Sequence, residues 1–430
     1  MGVDSHSGVR RDAVDGTDSG AGSGGSDGES LAESQLLKVL AYGRERDYTG
    51  WDLYDGESSR LLGLLPIESK WVNLCFQQVV RRAPVNLRRP LLVEKRRNFM
   101  GGALFALANF AAYDLTGDET FRSEGLGLAD WLLTEAPSGY SGYCGGHNHP
   151  VQGLHNRTLP EVPGVVGTAQ AVRALLAAAE YGDGRYRETA RSAAEFVYED
   201  LDYERVPAGA RIKYKPNDTG EMYTLNANAL GARLLLDLHA VFGDDRYRES
   251  ATRILDYVAA NQTAAGGWPY TEDPSSSHLS MDNFHNGFII DALLRYEAVC
   301  DDDRFAETIE RAVGFYRGLF DDTGAPHWDE SSVYPRDIHA SAQGIVTFSQ
   351  LGDSAHAGRI LRWTVENLSD GDGQFYHEQR RFYTKRITLM RWCQAWMAYA
   401  LATHVRHTSG IATDHVLRPD EREYPIADGD

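Results

Sequence analysis

The sequence predicts an all-α fold in which six helical hairpins close into a double ring, an (α/α)6 toroid. Two kinds of helical pattern alternate along the chain, one apolar on a single face and the other apolar on most sides. Loops rich in glycine, aromatic and charged residues recur between them. A unit that recurs along a chain indicates a repeat architecture, and no strand pattern of similar strength competes with the helices.

The amphipathic segments predict the outer ring of helices. In one of them the apolar side chains of Ala251, Ile254, Leu255 and Val258 follow the spacing of a single buried face. Arginine and glutamate cover the opposite side, as expected for a face in contact with water. The six predicted outer helices span residues 30–46, 118–136, 184–201, 244–262, 303–320 and 354–369.

The more apolar segments predict the inner ring. They are rich in small and aliphatic residues on nearly every side, which indicates burial on nearly every side. The six predicted inner helices span residues 94–116, 163–181, 225–242, 283–299, 337–351 and 387–405.

The connections between the two rings predict where a functional site lies. The inner-to-outer connections are short, so the long outer-to-inner loops all lie on one face of the ring. All six inner helices begin at that face, and their free N–H groups and positive dipole ends surround a central pocket. Such a pocket suits an anionic or polyhydroxylated ligand.

Composition sets the domain limits. The toroid is predicted to span residues 30–410. Residues 1–29 are rich in Gly, Ser and Asp and are predicted to form a disordered acidic tail, because such a composition cannot bury apolar surface. Residues 411–430 are predicted to form a second acidic tail.

Charge and cysteine content exclude several classes of protein. The net charge of −19 and the presence of only six lysines indicate an acidic surface of the halophilic type, which argues against nucleic-acid binding. Four scattered cysteines are predicted to be free thiols in a reducing compartment. With no signal peptide and no spanning segment, the chain is predicted to be cytoplasmic, with peripheral membrane contact left open.

Two histidines at the starts of neighbouring inner helices are the first catalytic candidates. His285 lies in the first turn beside Asp282, where the helix dipole keeps an imidazole neutral and available as a base. Asp337 and His339 repeat the arrangement in the next inner helix. The two histidines could act on opposite sides of one sugar carbon, one removing a proton and the other returning it.

A second interpretation gives the chemistry to the carboxylates. Asp282 and Asp337 could be the paired acids of a glycosidase, supported by the histidines. Each aspartate could equally be a helix cap, and each histidine a packed residue. The sequence does not give the distance between the two carboxylates, so these alternatives stay open.

The last predicted inner helix offers a substrate contact. Arg391 could bind a carboxylate and Trp392 could stack on a sugar face. The alternative is a buried arginine that pairs with Asp282 or Asp337.

Other loop residues complete the predicted binding site. Lys213 and Lys215, with the basic residues between 81 and 97, favour an anionic ligand, although a solvated basic patch is an equal alternative. Possible hydroxyl-binding residues are Tyr143, Asn148, Gln152, Asn226 and Asn228, and possible stacking platforms are Trp268, Tyr270 and Trp328. For these the alternatives are capping and rim packing. No metal-ligand motif is present, so neither a metal nor another cofactor is predicted.

Four motifs carry a resemblance to a known family. They are residues 267–270 (Gly-Trp-Pro-Tyr), 282–288 (Asp-Asn-Phe-His-Asn-Gly-Phe), 337–343 (Asp-Ile-His-Ala-Ser-Ala-Gln) and 390–396 (Met-Arg-Trp-Cys-Gln-Ala-Trp). Over about residues 35–405 the chain resembles toroids of the six-hairpin-glycosidase type, which include N-acylglucosamine 2-epimerases and unsaturated glucuronyl hydrolases. It is more similar to archaeal proteins, haloarchaeal ones included, of N-glycosylation and surface-polysaccharide assembly.

The resemblance implies a carbohydrate-processing protein of surface-glycan assembly. In the epimerases paired histidines transfer the proton, and His285 and His339 look similarly placed but lie outside the epimerase motifs. In the glucuronyl hydrolases aspartates carry out the reaction, and Asp282 and Asp337 match these aspartates loosely. The leading expectation is an epimerase or isomerase of a hexuronate, with a glycoside hydrolase and a non-catalytic glycan-binding component as alternatives. Its expected partner is an acidic sugar or glycan, free, lipid-linked or nucleotide-linked.

Overall fold

The computed structural model describes residues 24–65, 69–153, 157–218, 223–275, 277 and 279–409. Two concentric rings of helices account for most of these residues, which confirms the predicted (α/α)6 toroid. The outer ring consists of α1 (Gly24–Arg44), α5 (Glu119–Thr134), α7 (Arg185–Glu195), α9 (Asp245–Ala260), α11 (Ala306–Arg317) and α13 (Ser354–Leu368). The inner ring consists of α4 (Phe99–Thr116), α6 (Val165–Tyr181), α8 (Leu225–Phe242), α10 (Asn283–Cys300), α12 (Ile338–Gln350) and α14 (Trp396–Thr408).

Burial separates the two rings as the sequence patterns predict. Every residue of the first fourteen in α8 is buried, as befits a helix covered on all sides. In the outer helix α9 the buried positions include Ala251, Ile254, Leu255 and Val258, which form the predicted single face. The ring closes where α1 packs against α13 and α14.

Several boundaries differ from the predicted ones. The first outer helix begins at Gly24 rather than at residue 30, because a helix once formed gains a further backbone hydrogen bond for each residue added. The last inner helix begins with a π-helical stretch, Met390–Ala395, which the 3.6-residue periodicity does not predict. Residues 1–23 and 410–430, which hold most of the two predicted tails, lie outside the described residues.

The loop between α1 and α4 contains two helices that were not predicted, α2 (Arg60–Gly63) and α3 (Lys70–Arg82). Short antiparallel strands, also unpredicted, tie down the outer-to-inner joints. They are β1 (Thr49–Gly50) with β2 (Arg96–Arg97), β3 (Val151–Gln152) with β4 (Arg157–Thr158), β5 (Glu204–Val206) with β6 (Gly209–Arg211), and the sheet of β7 (Arg336–Asp337), β8 (Glu378–Gln379) and β9 (Thr384–Lys385). Strands of two or three residues are too short to leave a period-two pattern in a sequence.

A glycine in five of the joints allows the chain to lie directly on the backbone of the next outer helix. A Cβ atom on Gly142 would lie 1.9 Å from the carbonyl oxygen of Ser192 in α7. A Cβ atom on Gly373 would lie 2.5 Å from the carbonyl oxygen of Lys38 in α1, so this contact joins the last joint to the first outer helix. The other contacts are Gly209 on Arg253, Gly266 on Arg311 and Gly324 on Arg359.

Charged side chains meet at the centre of the ring, about half way along the inner helices. The buried residues are Arg173 of α6, Arg233 and Asp237 of α8, and Asp291 and Arg295 of α10. Arg295 Nε donates to Asp237 at 2.7 Å, and Arg233 pairs with Asp291. Arg173 also donates to Tyr399 and Gln350 to Asp291, so the buried charges are stabilised by one another and by neighbouring polar side chains.

Two further expectations concern thiols and membranes. The cysteines at 75, 144, 300 and 393 are free thiols, as predicted, and Cys75 is exposed. None of the helices in the described ranges combines the length and the apolarity needed to cross a bilayer.

Replacing Gly373 with alanine is expected to destabilise the fold more than replacing Gly371. Both glycines have a positive φ, 87° and 80°, so alanine adds about 1 kcal/mol of backbone strain at either position. Only at Gly373 does the new methyl group meet the backbone of α1, whereas nothing lies within 4 Å of a Cβ on Gly371. Urea unfolding should show an extra loss of about 1–3 kcal/mol for Gly373→Ala. Equal losses in the two variants would contradict the role of this contact in closing the ring.

Candidate functional site

A cavity of about 560 Å³ opens at the end of the ring where the inner helices begin. Each joint supplies a side chain to its wall: Tyr54, His147, Tyr214, Tyr270, Trp328 and His377. Each inner helical segment of the ring supplies another from its first turns: Met100, Val166, Asn226, His285, His339 and Trp392. The cavity therefore occupies the position that the loop pattern predicted, with every repeat contributing to it.

His285 is held by the cap of its own helix. Asp282 accepts a hydrogen bond from the His285 backbone N–H at 3.2 Å and bonds the ring Nδ1 at 2.8 Å. Asp282 is buried and does not line the cavity, whereas the His285 side chain is 17% exposed and does. The bond at Nδ1 fixes the orientation of the imidazole and leaves Nε2 as its free ring nitrogen.

His339 has a different environment. It is buried against aromatic rings: Phe284 stacks on it at 4.5 Å, and Trp392 and Trp396 each lie 4.4 Å away between ring centroids. Neither ring nitrogen has a hydrogen-bond partner among the described residues. Burial, together with the nearby Arg391 and His285, holds the pKa of His339 well below its ordinary value of 6.5. His339 is therefore a neutral imidazole.

Asp337 organises the wall beside His339. Its carboxylate caps α12 by accepting from the His339 N–H at 2.8 Å, and it also accepts from Trp392 Nε1 at 2.9 Å. His377 Nε2 lies 3.4 Å from its second oxygen. Asp337 thus positions its neighbours in a wall of the cavity that it also lines.

Glu378 lies next to Asp337 across the pairing of β7 and β8. Asp337, His377 and Glu378 offer ligand atoms within 4.8 Å of one another, a spacing that a metal ion could use. However, Glu378 already accepts from Arg380 at 2.8 Å and has Lys385 at 3.7 Å. Two protein cations thus occupy the place that a metal would take, so this group fits a metal ion poorly.

Arg391 pairs with an aspartate other than the two expected. Its Nε and Nη2 donate to Asp52 of the first joint at 2.8 and 2.6 Å, and both residues are buried. The carboxylate-binding role predicted for Arg391 is largely taken by this internal partner, and only Nη1 lies outside the pair. Although burial opposes it, Arg391 holds the pKa of Asp52 well below its usual range. Burial also lowers the pKa of the neighbouring His147 to about 3.

Three tyrosines line the cavity near Arg391. Tyr54, Tyr214 and Tyr270 are close enough to interact electrostatically with one another, and the first two with Arg391. Burial raises the pKa of Tyr214 to about 12. The rings of Tyr270 and His285 lie 4.7 Å apart. Phenol groups are hydrogen-bond donors of the kind that bind hydroxyl groups or a developing oxyanion.

Arg81 and Arg82, at the end of α3, supply positive charge to the cavity. Within the described residues neither guanidinium takes part in an ion pair. Arg81 lies over the ring of Tyr54 at 5.1 Å. Two uncompensated cations in the wall favour an anionic ligand.

Several of the predicted site residues lie together in this cavity. They are His285, His339, Asp337, Arg391, Trp392, Tyr270, Trp328 and Asn226. Asn226 is buried, and its Oδ1 has no hydrogen-bond partner among the described residues, so it is free to accept from a ligand hydroxyl. Asp282 lies directly behind His285.

Other predicted binding residues lie outside the cavity because structural contacts occupy them. Trp268 is buried and donates from Nε1 to the Val258 carbonyl at 2.8 Å. Asn228 accepts from the backbone N–H of Ile212 and donates to its carbonyl, which ties the third joint to α8 and differs from the helix capping that the sequence offered as the alternative. Stacking and hydroxyl binding are therefore not open to these two side chains.

The binding residues predicted in the second and third joints are also occupied by structural contacts. Tyr143 packs on Phe99, Asn148 accepts from the Phe99 N–H at 2.6 Å, and Gln152 is buried against neighbouring backbone. Lys213 pairs with Asp202 and Lys215 donates to Thr158, so both cations are used locally. Their contribution to the predicted anionic site is taken by the arginines of α3.

Arg81 and Arg82 belong to the basic stretch of residues 81–97 that already favoured an anionic ligand. The sequence interpretation did not select six other residues of the cavity wall: Tyr54, His147, Tyr214, His377, Glu378 and Arg380. All six lie in joints that the pattern located. Taking the aromatic and titratable side chains of every joint, instead of the first turns of two inner helices, would have found them.

Comparison with known proteins identifies the fold. No protein-family model matches the sequence, and no curated protein matches it. Among solved structures, the chain is similar to a cellobiose 2-epimerase from Bacillus thermoamylovorans B4167, with 13% identity over 72% of this chain and 88% of that chain and a TM-score of 0.56. It is similar to an unsaturated glucuronyl hydrolase specific for heparin, with 13% identity over 90% and 96% and a TM-score of 0.56. It also resembles a D-mannose isomerase, with 12% identity over 72% and 86% and a TM-score of 0.55.

These identities are low, so the likeness concerns the path of the chain and not its chemistry. The shared architecture and the six repeats described above agree: the chain has the (α/α)6 toroid fold of the six-hairpin glycosidase type.

Proposed function

We propose that the protein is a carbohydrate-processing enzyme that epimerises or isomerises an acidic sugar. The observation that carries this proposal is the pair of histidines in one cavity with opposite environments. His285 is bonded to a carboxylate, and His339 is enclosed by aromatic rings without a partner. A pair of titratable groups in contrasting surroundings is what an acid and a base acting on one substrate require.

The proposed reaction moves one proton. Neutral His339 takes the proton from a carbon beside a carbonyl group of the open sugar, and the electron pair of that C–H bond passes into an enediolate. His285, whose Nδ1 is bonded to Asp282, returns a proton to the opposite face of the same carbon or to the neighbouring carbon. The first outcome is epimerisation. The second is isomerisation, in which a hydroxyl proton also passes from one enediolate oxygen to the other, so that the carbonyl group changes carbon. The phenols of Tyr54 and Tyr214 line the cavity and can donate to the enediolate oxygens.

The acidic character of the substrate is proposed from charge. Arg81 and Arg82 lie in the wall without ion-pair partners among the described residues, and Arg380 lines the same side. A hexuronate would place its carboxylate against them. Two of the similar solved structures, a cellobiose 2-epimerase and a D-mannose isomerase, support a carbohydrate as the class of substrate. A role in surface-glycan assembly is part of the proposal on the ground of the sequence resemblance alone.

A glycoside hydrolase is the second candidate, favoured by one observation. The carboxylates of Asp337 and Glu378 lie within 4.8 Å, close to the roughly 5–5.5 Å of retaining glycosidases. Asp282, which the sequence paired with Asp337, does not line the cavity and cannot fill this role. The hydrogen bonds and ion pairs that already satisfy Asp337 and Glu378 make them weaker candidates than the histidines.

Substitution of either histidine is expected to lower turnover strongly. Each variant should retain a different half of the proton-transfer reaction. His285→Ala and His339→Ala should each lower kcat/KM on hexuronates by about 10²–10⁴-fold, because each removes one proton-transfer group. Proton NMR in D2O should show that each variant still exchanges the proton of a single epimer with solvent. The epimer that exchanges should differ between the two variants. His239→Ala, at the far end of α8, is the matched control and should retain activity.

Full exchange of both epimers in both variants would contradict the two-histidine proposal. Release of a reducing sugar without deuterium incorporation would favour the hydrolase. Saturable binding of a hexuronate with neither reaction would favour the non-catalytic glycan-binding alternative.

Protonation of His339 is expected to cause no loss of rate as the pH falls through 6.5. Since burial holds the pKa of His339 well below this value, the imidazole remains a neutral base there, and the acid limb of kcat/KM lies at lower pH. Trp396→Ala, which opens the aromatic wall to water, should move that limb up toward 6.5. An acid limb at or above 6.5 in the unmodified protein would rule out His339 as this base.

The two arginines of α3 are expected to select acidic sugars. Arg81→Gln and Arg82→Gln should each raise KM for a hexuronate by about tenfold, as expected for the loss of a charge-assisted contact, and should leave kcat nearly unchanged. Arg89→Gln is the control, since Arg89 is exposed in the same loop but does not line the cavity. An unchanged KM in both test variants would show that the substrate is not bound through its carboxylate here.

A further inference from the structure

The loop that carries α2 and α3 is basic in an acidic protein. We define the basic insertion as residues 60–65 and 69–97. It contains nine Lys and Arg against one Glu, while the whole chain has a net charge of −19. Arg88 is buried against Asp55, and the eight other cations still make the insertion opposite in sign to the net charge of the chain.

The same insertion exposes apolar side chains. Leu64 is 78% exposed and Trp71 is 68% exposed. The set of exposed large apolar residues in the insertion is Leu61, Leu64, Leu65, Trp71, Val79, Val85 and Leu92. Elsewhere in the described ranges such residues are few: Leu159, Val333, Tyr334, Phe382 and Tyr383. A concentration of exposed apolar area on one basic segment indicates a surface that is covered in use.

Helix α3 turns part of its apolar surface outward. Trp71, Cys75 and Val79 are spaced by four residues, so they form one ridge, and all three are exposed. Two positions that α3 buries are Gln77 and Val80. A ridge of Trp, Cys and Val that faces away from the protein is the reverse of an ordinary surface helix.

The basic insertion borders the mouth of the cavity. Arg81 and Arg82 line the cavity, and Lys385 donates to the Arg81 carbonyl oxygen. This contact joins α3 to the hairpin of β8 and β9, where Phe382 is 87% exposed. The apolar and basic surface thus extends around one side of the mouth.

We propose that the basic insertion docks the protein on an anionic membrane surface. Trp71 and Leu64 would enter the headgroup region, and the exposed lysines and arginines would lie over the anionic lipids. Exposed Trp and Leu beside clustered Lys and Arg is the combination by which helices bind at bilayer interfaces. Docking in this way turns the cavity mouth toward the lipid headgroups.

A second copy of this chain fits the same surface less well. In a two-fold dimer it would place one basic insertion against another, which like charges disfavour. An external anionic surface does not meet this objection.

The docking defines a substrate class, and this step rests on the proposed function. A cavity mouth held at the headgroup plane suits an acidic sugar that is attached to a lipid. Soluble hexuronates would be turned over as poor analogues of it.

The test is flotation of the full-length protein with vesicles of phosphatidylcholine, with and without phosphatidylglycerol. The expected result is binding to the anionic vesicles only. Trp71→Ser and Arg89→Glu should each weaken binding on the order of tenfold, by removing an apolar anchor or reversing a charge. Leu159→Ser, an exposed apolar change outside the insertion, is the matched control and should bind normally.

A label on Cys75 gives a reading that does not depend on a variant in the ridge. In a Cys300→Ser background, an environment-sensitive dye on Cys75 should shift to shorter wavelength with anionic vesicles, since Cys144 and Cys393 are buried. Absence of binding to anionic vesicles would overturn the proposal. So would a concentration-dependent dimer that Trp71→Ser abolishes. Turnover of soluble hexuronates should be unchanged by Trp71→Ser and Arg89→Glu, so failure of docking and failure of the proposed function are distinguishable.

Discussion

A charged side chain on a helix that is buried on every side needs a partner of opposite charge, and this constraint governs the inner ring. Arg295 with Asp237, Arg233 with Asp291, and Arg391 with Asp52 are buried pairs that link different elements. Removal of one partner from a pair of this kind costs about 3–5 kcal/mol, since the other is left uncompensated. The pairs therefore specify how the inner helices are set against one another, and the cavity walls follow from that setting.

The contrast between the two histidines arises from a difference of one residue. In α10 the cap Asp282 precedes His285 by three positions, so cap and imidazole lie on the same side of the helix and bond. In α12 the cap Asp337 precedes His339 by only two positions, which turns the imidazole away into the aromatic wall. Similar local sequences thus produce one histidine with a carboxylate partner and one without.

Much of the fold could be predicted from periodicity, because helix burial depends on residues three and four apart. The ring, the order of inner and outer helices and the face that holds the cavity follow from such local patterns. Contacts between distant residues could not be predicted. The Arg391–Asp52 pair joins positions separated by 339 residues, and nothing near Arg391 in the sequence indicates that partner. Trp268 is similar, since its burial depends on how the fourth joint packs onto α9.

The contact of Gly373 with Lys38 has a consequence for how the molecule unfolds. An open array of helical repeats has end units with one neighbour each, and these fray first. Here the last joint and the inner helix α14 both lie against α1, so every hairpin has two neighbours. Loss of any hairpin exposes two interfaces at once, which couples the repeats in a single cooperative transition. The closed ring thus gives a repeat protein the thermodynamic behaviour of one compact domain.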